Sequence, residues 1–308
     1  MDDAVQSTLV FVDAVKIKQL RKAVLESVVK DCDKKIEEGV VKRCKNESPY
    51  MAGIIADEYR WSYATGFARG YSETSFKHFN ISFEQLKREV LFQMVKQDVL
   101  PLCRACEEVG QSEQDFTSDM YDYLLSNVPA IATFDDVLAA IDYITFGYAE
   151  RIEKEHYFVR LISHWLKAAP EWQGEILDAW LWDDAASCFS ARGEFAGLMS
   201  IDIVARDTHG EYQAIGCKVC KTHDSLYAGN IAPFLAASAK MFSDPQTGKL
   251  MSFSNRLYIA TTSRVTSDAE CLAQNQQPPV KLITRATLES SAVAWQRLFN
   301  EAFRPLHS

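Results

Sequence analysis

The second half of the chain alternates short apolar segments with helical ones, and this order limits its fold more than any other feature. Five segments rich in β-branched and aromatic residues indicate strands; they are "DAWLW", "SIDIVA", "EYQAIGCKV", "RLYIATT" and "PVKLIT". The first three follow one another directly, whereas the helical segments "NIAPFLAASAKMF" and "SDAECLAQNQ" separate the last three. The order of helix, three neighbouring strands, helix, strand, helix, strand predicts an α/β core with a mixed central sheet.

The chain before about residue 128 is predicted to be helical throughout. Between residues 5 and 44, apolar residues recur at mostly fourfold spacing with charges between them, which is typical of a long amphipathic helix or of a broken pair of helices; they are Val15, Leu20, Val24, Val28, Cys32, Ile36 and Val40. A later helix is expected to begin at Ser82, where Gln85 has capping-box spacing, and to end or kink at Pro101. These helices predict an all-α bundle domain at residues 1–128.

A second domain is predicted at residues 132–308. The chain has 308 residues, which exceeds the usual size of one domain. The segment "SNVPAIATFDD" contains Pro129 and a new helix cap, Thr133 with Asp136, and therefore marks the boundary.

The charge of the chain limits its partners. A formal net charge of −9 and a pI of about 5.3 argue against a protein that coats nucleic acid by charge alone, so contact with DNA would need a local basic surface. The start "MDDAVQSTLV" has no apolar signal region, and no apolar run approaches the roughly 20 residues that span a bilayer. We therefore expect a cytoplasmic protein with no membrane partner.

The eight cysteines are expected to be reduced thiols. Cys103/Cys106 and Cys217/Cys220 have the C-x-x-C spacing of zinc sites. The first pair lies in a helical pattern, the second ends a strand, and neither has a glycine-rich knuckle. No zinc is therefore expected, and a zinc-stabilised module is the least supported interpretation.

Aromatic residues and arginines alternate in "EYRWSYATGFARGY". Arginine beside aromatic rings can stack nucleobases, but aromatic residues on helices more often belong to the core. We favour the core interpretation for this cluster, which comprises Tyr59, Trp61, Tyr63, Phe67 and Tyr71 with Arg60 and Arg69.

The segment "SIDIVARDTHGEYQAIGCK" is predicted to form a β-hairpin with one acid and one base. Asp202 lies in its first strand, and Lys218 ends its second. A turn centred near His209 would place Gly216 almost opposite Asp202. From these residues alone, Asp202 could cap a turn, form an ion pair with Lys218 or belong to a functional site.

The C-terminal half resembles the Mrr-like nuclease module at the front of type ISP restriction-modification enzymes, one of the PD-(D/E)xK phosphodiesterases. The resemblance covers about residues 132–299 and depends on an ordered series of segments, which are "FVRLISHWL", "DAWLW", "IDIVARDTHGEYQAIGCK", "FLAASAKMF", "SNRLYIATT" and "NQQPPVKLI". It implies a restriction-endonuclease-like fold that acts on DNA.

The resemblance also implies the chemistry of the site. Carboxylates would hold Mg²⁺, which polarises the phosphate and acidifies a water molecule, and a lysine would orient that water. Asp202 matches the metal-binding position of the family, and Lys218 matches the catalytic lysine.

Three positions depart from the family pattern. Gly216 stands where the family has Glu or Gln, Val159 stands where it has Glu, and "SID" replaces "GID". Glu155 lies one helical turn before Val159, so it could serve as a metal ligand or remain exposed and pair with Arg151. Glu194 is a second possible donor.

Two interpretations of function remain open. The first is a Mg²⁺-dependent endonuclease of a restriction or phage-defence system, whose hydrolysis we expect to be impaired because ligands are missing. The second is an inactive nuclease-fold subunit that binds DNA, or binds a protein through the helical domain.

Overall fold

A computed structural model describes residues 2–45, 47–79, 81–146, 150–172, 174–182, 200–221, 223–243 and 249–303. These residues form two compact units, which divide between Val128 and Pro129; Phe146 also belongs to the first unit. In the described part of the chain, no helix has the length and apolar content needed to cross a bilayer.

The first unit is a helical bundle. Its helices are α1 (Asp2–Cys44), α2 (Pro49–Ser75), α3 (Phe83–Lys96), α4 (Leu102–Val109) and α5 (Glu113–Ser126), with a 3-10 turn at Phe76–Phe79. The cap predicted at Ser82 is confirmed, because its hydroxyl accepts a hydrogen bond from the Gln85 N–H at 3.1 Å. The predicted end at Pro101 is wrong, since α3 ends at Lys96 and Pro101 instead precedes α4.

The predicted buried line of α1 is confirmed at Cys32 and Ile36, but it is shifted by one residue before them, where Leu25 and Val29 are buried in place of Val24 and Val28. The side chain of Val15 lies outside the described residues. Leu20 is exposed, whereas Leu25, Val29, Cys32 and Ile36 are buried. The buried line also includes Arg21, whose guanidinium binds both carboxylate oxygens of Glu89, at 2.8 and 3.0 Å. A prediction from apolar residues alone does not count Arg21 as a core residue, although its ion pair allows it to be buried. The predicted line is therefore displaced near this arginine.

The aromatic residues of α2 form a ladder along one side of the helix. Tyr59, Tyr63, Phe67 and Tyr71 are half-buried, with ring centroids 5.8 to 6.4 Å apart. Arg60 and Arg69 form ion pairs with Glu37 and Glu108. Both arginines therefore have carboxylate partners, and the four rings are half-buried, so they are not core residues, contrary to the prediction.

The second unit is the predicted α/β core. It begins with α6 (Phe134–Ile144) and α7 (Glu150–Ala168), then a 3-10 turn at Pro170–Trp172. The strands are β1 (Ile176–Leu181), β2 (Ile203–Asp207), β3 (Tyr212–Lys218), β4 (Phe242–Ser243), β5 (Leu250–Met251), β6 (Asn255–Ala260) and β7 (Val280–Ile283). The remaining helices are α8 (Ala228–Ser238), α9 (Ser267–Gln274), α10 (Arg285–Ser290) and α11 (Trp295–Ala302).

The main sheet has five strands in the order β1-β2-β3-β6-β7. The first three strands are antiparallel, and β3, β6 and β7 are parallel, so the predicted mixed sheet is confirmed. The helix predicted through "AKMF" ends earlier, at Ser238, and Phe242 instead lies in a small hairpin of β4 with β5.

Helices pack against the main sheet, and the core lies between the helices and the strands. On one face, Val204, Ala214 and Tyr258 pack in a buried cluster with Phe234 of α8 and Ala269 of α9. In addition, α7 packs against β1 and β3, and α11 packs against α7. The contact of α7 with β3 brings the helix beside the hairpin that contains the predicted site.

Candidate active site

The β2–β3 hairpin closes through a turn that is held by one aspartate. Asp207 Oδ1 accepts hydrogen bonds from the N–H groups of His209 and Glu211, both at 2.9 Å. Gly210 has φ of +82°, a left-handed conformation that glycine adopts without strain. His209 is exposed in this turn, as the sequence predicts.

The register of the hairpin places the two predicted residues at the same end. Ile203 pairs with Ile215, and the Asp202 N–H donates to the Ile215 carbonyl at 3.0 Å. Gly216 therefore lies level with Asp202, which confirms the predicted register. Lys218 is two residues farther along β3, on the same side of the strand as Gly216.

Asp202 lies just before β2 and is held by the opposite strand. Its Oδ2 accepts a hydrogen bond from the Cys217 N–H at 2.6 Å. Burial raises the pKa of Asp202 to about 6, and the negative charge of Glu155 adds to this effect. The Cys217 N–H and the positive charge of Lys218 act in the opposite direction. Asp202 is therefore electrostatically linked to both Glu155 and Lys218.

Lys218 donates a hydrogen bond to Glu155 of α7. Both side chains are partly buried, with exposed fractions of 20% and 34%. The expectation of an exposed Glu155 is therefore wrong, because α7 turns this residue toward β3; the side chain of its suggested partner Arg151 lies outside the described residues. The carboxylate of Glu155 thus lies beside Lys218, whereas Val159, one helical turn later, brings no carboxylate to the site. Glu194 also lies outside the described residues.

The position of Gly216 has no room for a side chain. A Cβ atom there would lie 2.8 Å from Cδ2 of Tyr258 and 2.9 Å from Cδ2 of Phe234. The two rings pack edge to face with centroids 5.4 Å apart, and the Tyr258 hydroxyl donates to the Asn230 carbonyl at 2.9 Å. These rings fill the space next to the backbone from which a Glu or Gln would extend.

Two threonines that the sequence patterns did not single out hold the segment after Lys218. The Thr261 N–H donates to the Lys218 carbonyl at 3.1 Å, and the Thr261 hydroxyl accepts from the Cys220 N–H at 2.8 Å. The Thr262 hydroxyl donates to the Asp224 carbonyl at 2.8 Å. In the sequence, the pair "TT" at the end of a predicted strand is the signal that could have identified these residues. Their hydrogen-bond partners, however, depend on the register between β3 and β6.

A cleft of about 1120 Å³ opens beside Lys218 and Glu155. Its charged residues are Asp142, Lys154, Glu155, Lys218, Lys221, Asp224 and Arg285. Four of these are cations and three are anions, so the cleft has a small positive excess in a chain whose net charge is −9.

The donor set of the site can be compared with the needs of Mg²⁺. Asp202 and Glu155 offer carboxylate oxygens, and position 216 offers none. Within the described ranges, no group of three or more His, Cys, Asp or Glu side chains is close enough to hold a metal ion. Two carboxylates fit a weak Mg²⁺ site that takes further oxygen ligands from water and substrate phosphate.

A curated set of proteins contains no match to the chain. Among solved structures, an ATP-dependent type ISP restriction-modification enzyme, LlaBIII, bound to DNA, matches with 20% identity and a TM-score of 0.38. The match covers 54% of this chain and 9% of that enzyme, so the chain spans only a small part of the enzyme's length.

A family model gives the more specific assignment. Residues 167–303 match Mrr_cat_2, which is described as a restriction endonuclease. The matched region begins in α7, includes the β2–β3 hairpin with Asp202 and Lys218, and ends just after α11. Residues 167–303 are thus similar to the restriction endonuclease domain that this family model describes.

Proposed function

We propose that the protein is a DNA-targeting, nuclease-fold component of a restriction or phage-defence system, in which metal-dependent phosphodiester hydrolysis is impaired. The Mrr-type domain supports DNA as the target. The link between Asp202, Glu155 and Lys218 supports a remaining site for hydrolysis. The proposal includes action on DNA in the cytoplasm.

The single observation behind impaired hydrolysis is the filled space at Gly216. The rings of Tyr258 and Phe234 lie where a side chain two residues before Lys218 would begin. Asp202 and Glu155 are then the residues that would hold Mg²⁺, which when bound supplies polarisation of the phosphate and acidification of a water molecule. Loss of one ligand weakens metal binding, because few other protein oxygens remain to replace water.

The side chains of the chain itself have separate roles in this proposal. The Cys217 N–H fixes the orientation of Asp202. Glu155 holds the Lys218 ammonium at the edge of the cleft. When a DNA phosphate enters, that ammonium would orient the attacking water and stabilise negative charge that develops on the phosphate.

The test is a plasmid-nicking assay with Mg²⁺ or Mn²⁺ on the purified full chain. We expect slow nicking that needs the metal and that is lost in Lys218→Ala and in Asp202→Ala. Lys240→Ala is the matched control, because Lys240 is exposed and is not among the residues that line the cleft. Cleavage that survives both site variants would overturn the assignment of the site.

A second candidate is a nuclease-fold subunit that has lost hydrolysis and binds DNA, or binds a protein partner through the helical domain. The filled space at Gly216 favours it, because a site without a ligand at this position holds Mg²⁺ weakly. Absence of nicking, together with DNA binding that does not depend on metal, would support this candidate.

A further inference from the structure

The cleft beside Lys218 contains an exposed aromatic ring that the hydrolytic site does not use. Tyr227 lies immediately before α8, lines the cleft and is 57% exposed. Its backbone is fixed on both sides, because the Leu226 N–H donates to the Arg264 carbonyl at 2.8 Å and the Tyr227 N–H donates to Oδ1 of Asn230 at 3.1 Å. The ring therefore projects from a rigid backbone.

The Tyr227 ring can occupy its position because residue 229 is a glycine, which has no side chain there. A Cβ atom on Gly229 would lie 2.9 Å from Cε2 and 3.2 Å from Cδ2 of Tyr227. The ring thus lies against the backbone of the first turn of α8, and a substantial part of it is exposed. An aromatic ring that is supported on one side and exposed elsewhere can form a stacking contact with a planar ligand.

The same cleft contains a cation without a carboxylate partner. Lys154 pairs with Asp142 at 3.1 Å, and Lys218 pairs with Glu155. The ion pairs found among the described residues leave Lys221, which is exposed and follows Lys218 by three residues, without an acidic partner. Its ammonium is therefore available to an anion that enters the cleft.

From these features we propose that the cleft binds an unpaired nucleotide of DNA, with the base stacked on Tyr227 and a phosphate near Lys221. In a duplex, the faces of the bases are covered by their neighbours, so only an unpaired or extruded base can stack on a side chain. The cleft of about 1120 Å³ is at least as large as the pockets of roughly 300–1,000 Å³ that enclose small ligands. The inference depends on the proposed function, since it names the form of DNA that this site recognises.

The test compares binding of a fluorescent single-stranded oligonucleotide with binding of its duplex, by anisotropy at fixed salt and without metal. Base stacking on an aromatic side chain predicts that Tyr227→Ala lowers affinity for the single strand by about 5- to 100-fold and has little effect on the duplex. Tyr227→Trp should keep the affinity. Tyr50→Ala is the matched control, because Tyr50 is 78% exposed and belongs to the helical unit.

Gly229→Ala tests whether the position of the Tyr227 ring matters, because this variant keeps the ring but displaces it. The substitution should leave α8 as stable as before or more stable, because alanine favours helix over glycine. It should nevertheless weaken single-strand binding, since the new Cβ atom displaces the ring of Tyr227. Lys221→Ala should weaken binding of both DNA forms and reduce its salt dependence.

The outcomes distinguish this inference from the proposed function. Unchanged single-strand affinity in Tyr227→Ala, with the duplex still bound by the unsubstituted protein, would overturn the nucleotide site and leave the proposed function intact. If the unsubstituted protein binds neither DNA form, the proposed function fails and the nucleotide site fails with it.

Discussion

Lys218, the last residue of β3, donates a hydrogen bond to Glu155, which lies one helical turn before Val159 on α7. The contact brings a helix carboxylate to the end of the hairpin, although Val159 stands where the resemblance described above would place Glu. The negative charge of Glu155 also contributes to the raised pKa of Asp202. The candidate site therefore consists of two acids and one base from three different segments.

This relationship predicts that Glu155 is needed for metal binding. Glu155→Ala should weaken binding of Mn²⁺ by at least about tenfold, because it removes one of two carboxylates. Titration calorimetry on the full chain measures the effect. Glu270→Ala is the control, since Glu270 is exposed on α9 and is not among the residues that line the cleft. Equal affinities in the protein and the Glu155 variant would rule out Glu155 as a ligand.

The packing around Gly216 predicts an energetic coupling with Tyr258. Gly216→Ala should destabilise the protein by about 1–3 kcal/mol, because the new Cβ atom overlaps the Tyr258 ring in a packed core. In a Tyr258→Ala background the cost should become smaller, which gives a coupling of about 0.5–3 kcal/mol. Urea denaturation of the four proteins in this cycle measures it.

A matched control for that cycle is Gly53→Ala. Gly53 lies in α2, and apart from its chain neighbours and the backbone of its own helix no atom lies within 4 Å of a Cβ at this position, so alanine should be neutral or stabilising there. Additive effects of Gly216→Ala and Tyr258→Ala would show that the ring does not restrict position 216.

Much of the second unit follows from local sequence, whereas parts of the site do not. The hairpin register could be predicted because a tight turn at His209 fixes which residues of β2 and β3 face each other. The contact of Tyr258 with Gly216 could not be predicted, because it depends on the pairing of β6 with β3. In the sequence, α8 and the β4–β5 hairpin separate these two strands, so no local turn fixes their register. The pairing of Glu155 with Lys218 depends on how α7 packs against the sheet, which its sequence alone does not specify.

The helical unit shows a second limit of sequence patterns. The buried line of α1 passes through Arg21, and its partner Glu89 lies 68 residues away on α3. A charged residue can occupy a core position when a distant side chain neutralises it, and hydrophobic periodicity cannot identify that partner.

The Arg21–Glu89 pair predicts an asymmetric response to mutation. Glu89→Ala should destabilise the protein by about 3–5 kcal/mol, because it leaves a buried guanidinium without its counter-ion. Replacement of both residues by methionine should cost much less, since no buried charge remains. Denaturant unfolding measures both values. A double variant that is as unstable as Glu89→Ala would contradict this explanation.

The raised pKa of Asp202 predicts that a site residue lowers stability at neutral pH. In the folded protein the pKa is about 6, compared with an ordinary value of 3.8, so between these values the folded state binds more protons than the unfolded state. Stability therefore falls as pH rises through this window. Asp202→Asn removes the titration, and its stability relative to the unsubstituted protein should rise by roughly 2–3 kcal/mol between pH 4 and pH 7. A difference that stays constant over this range, measured by urea denaturation, would show that the Asp202 carboxyl is not destabilised by burial.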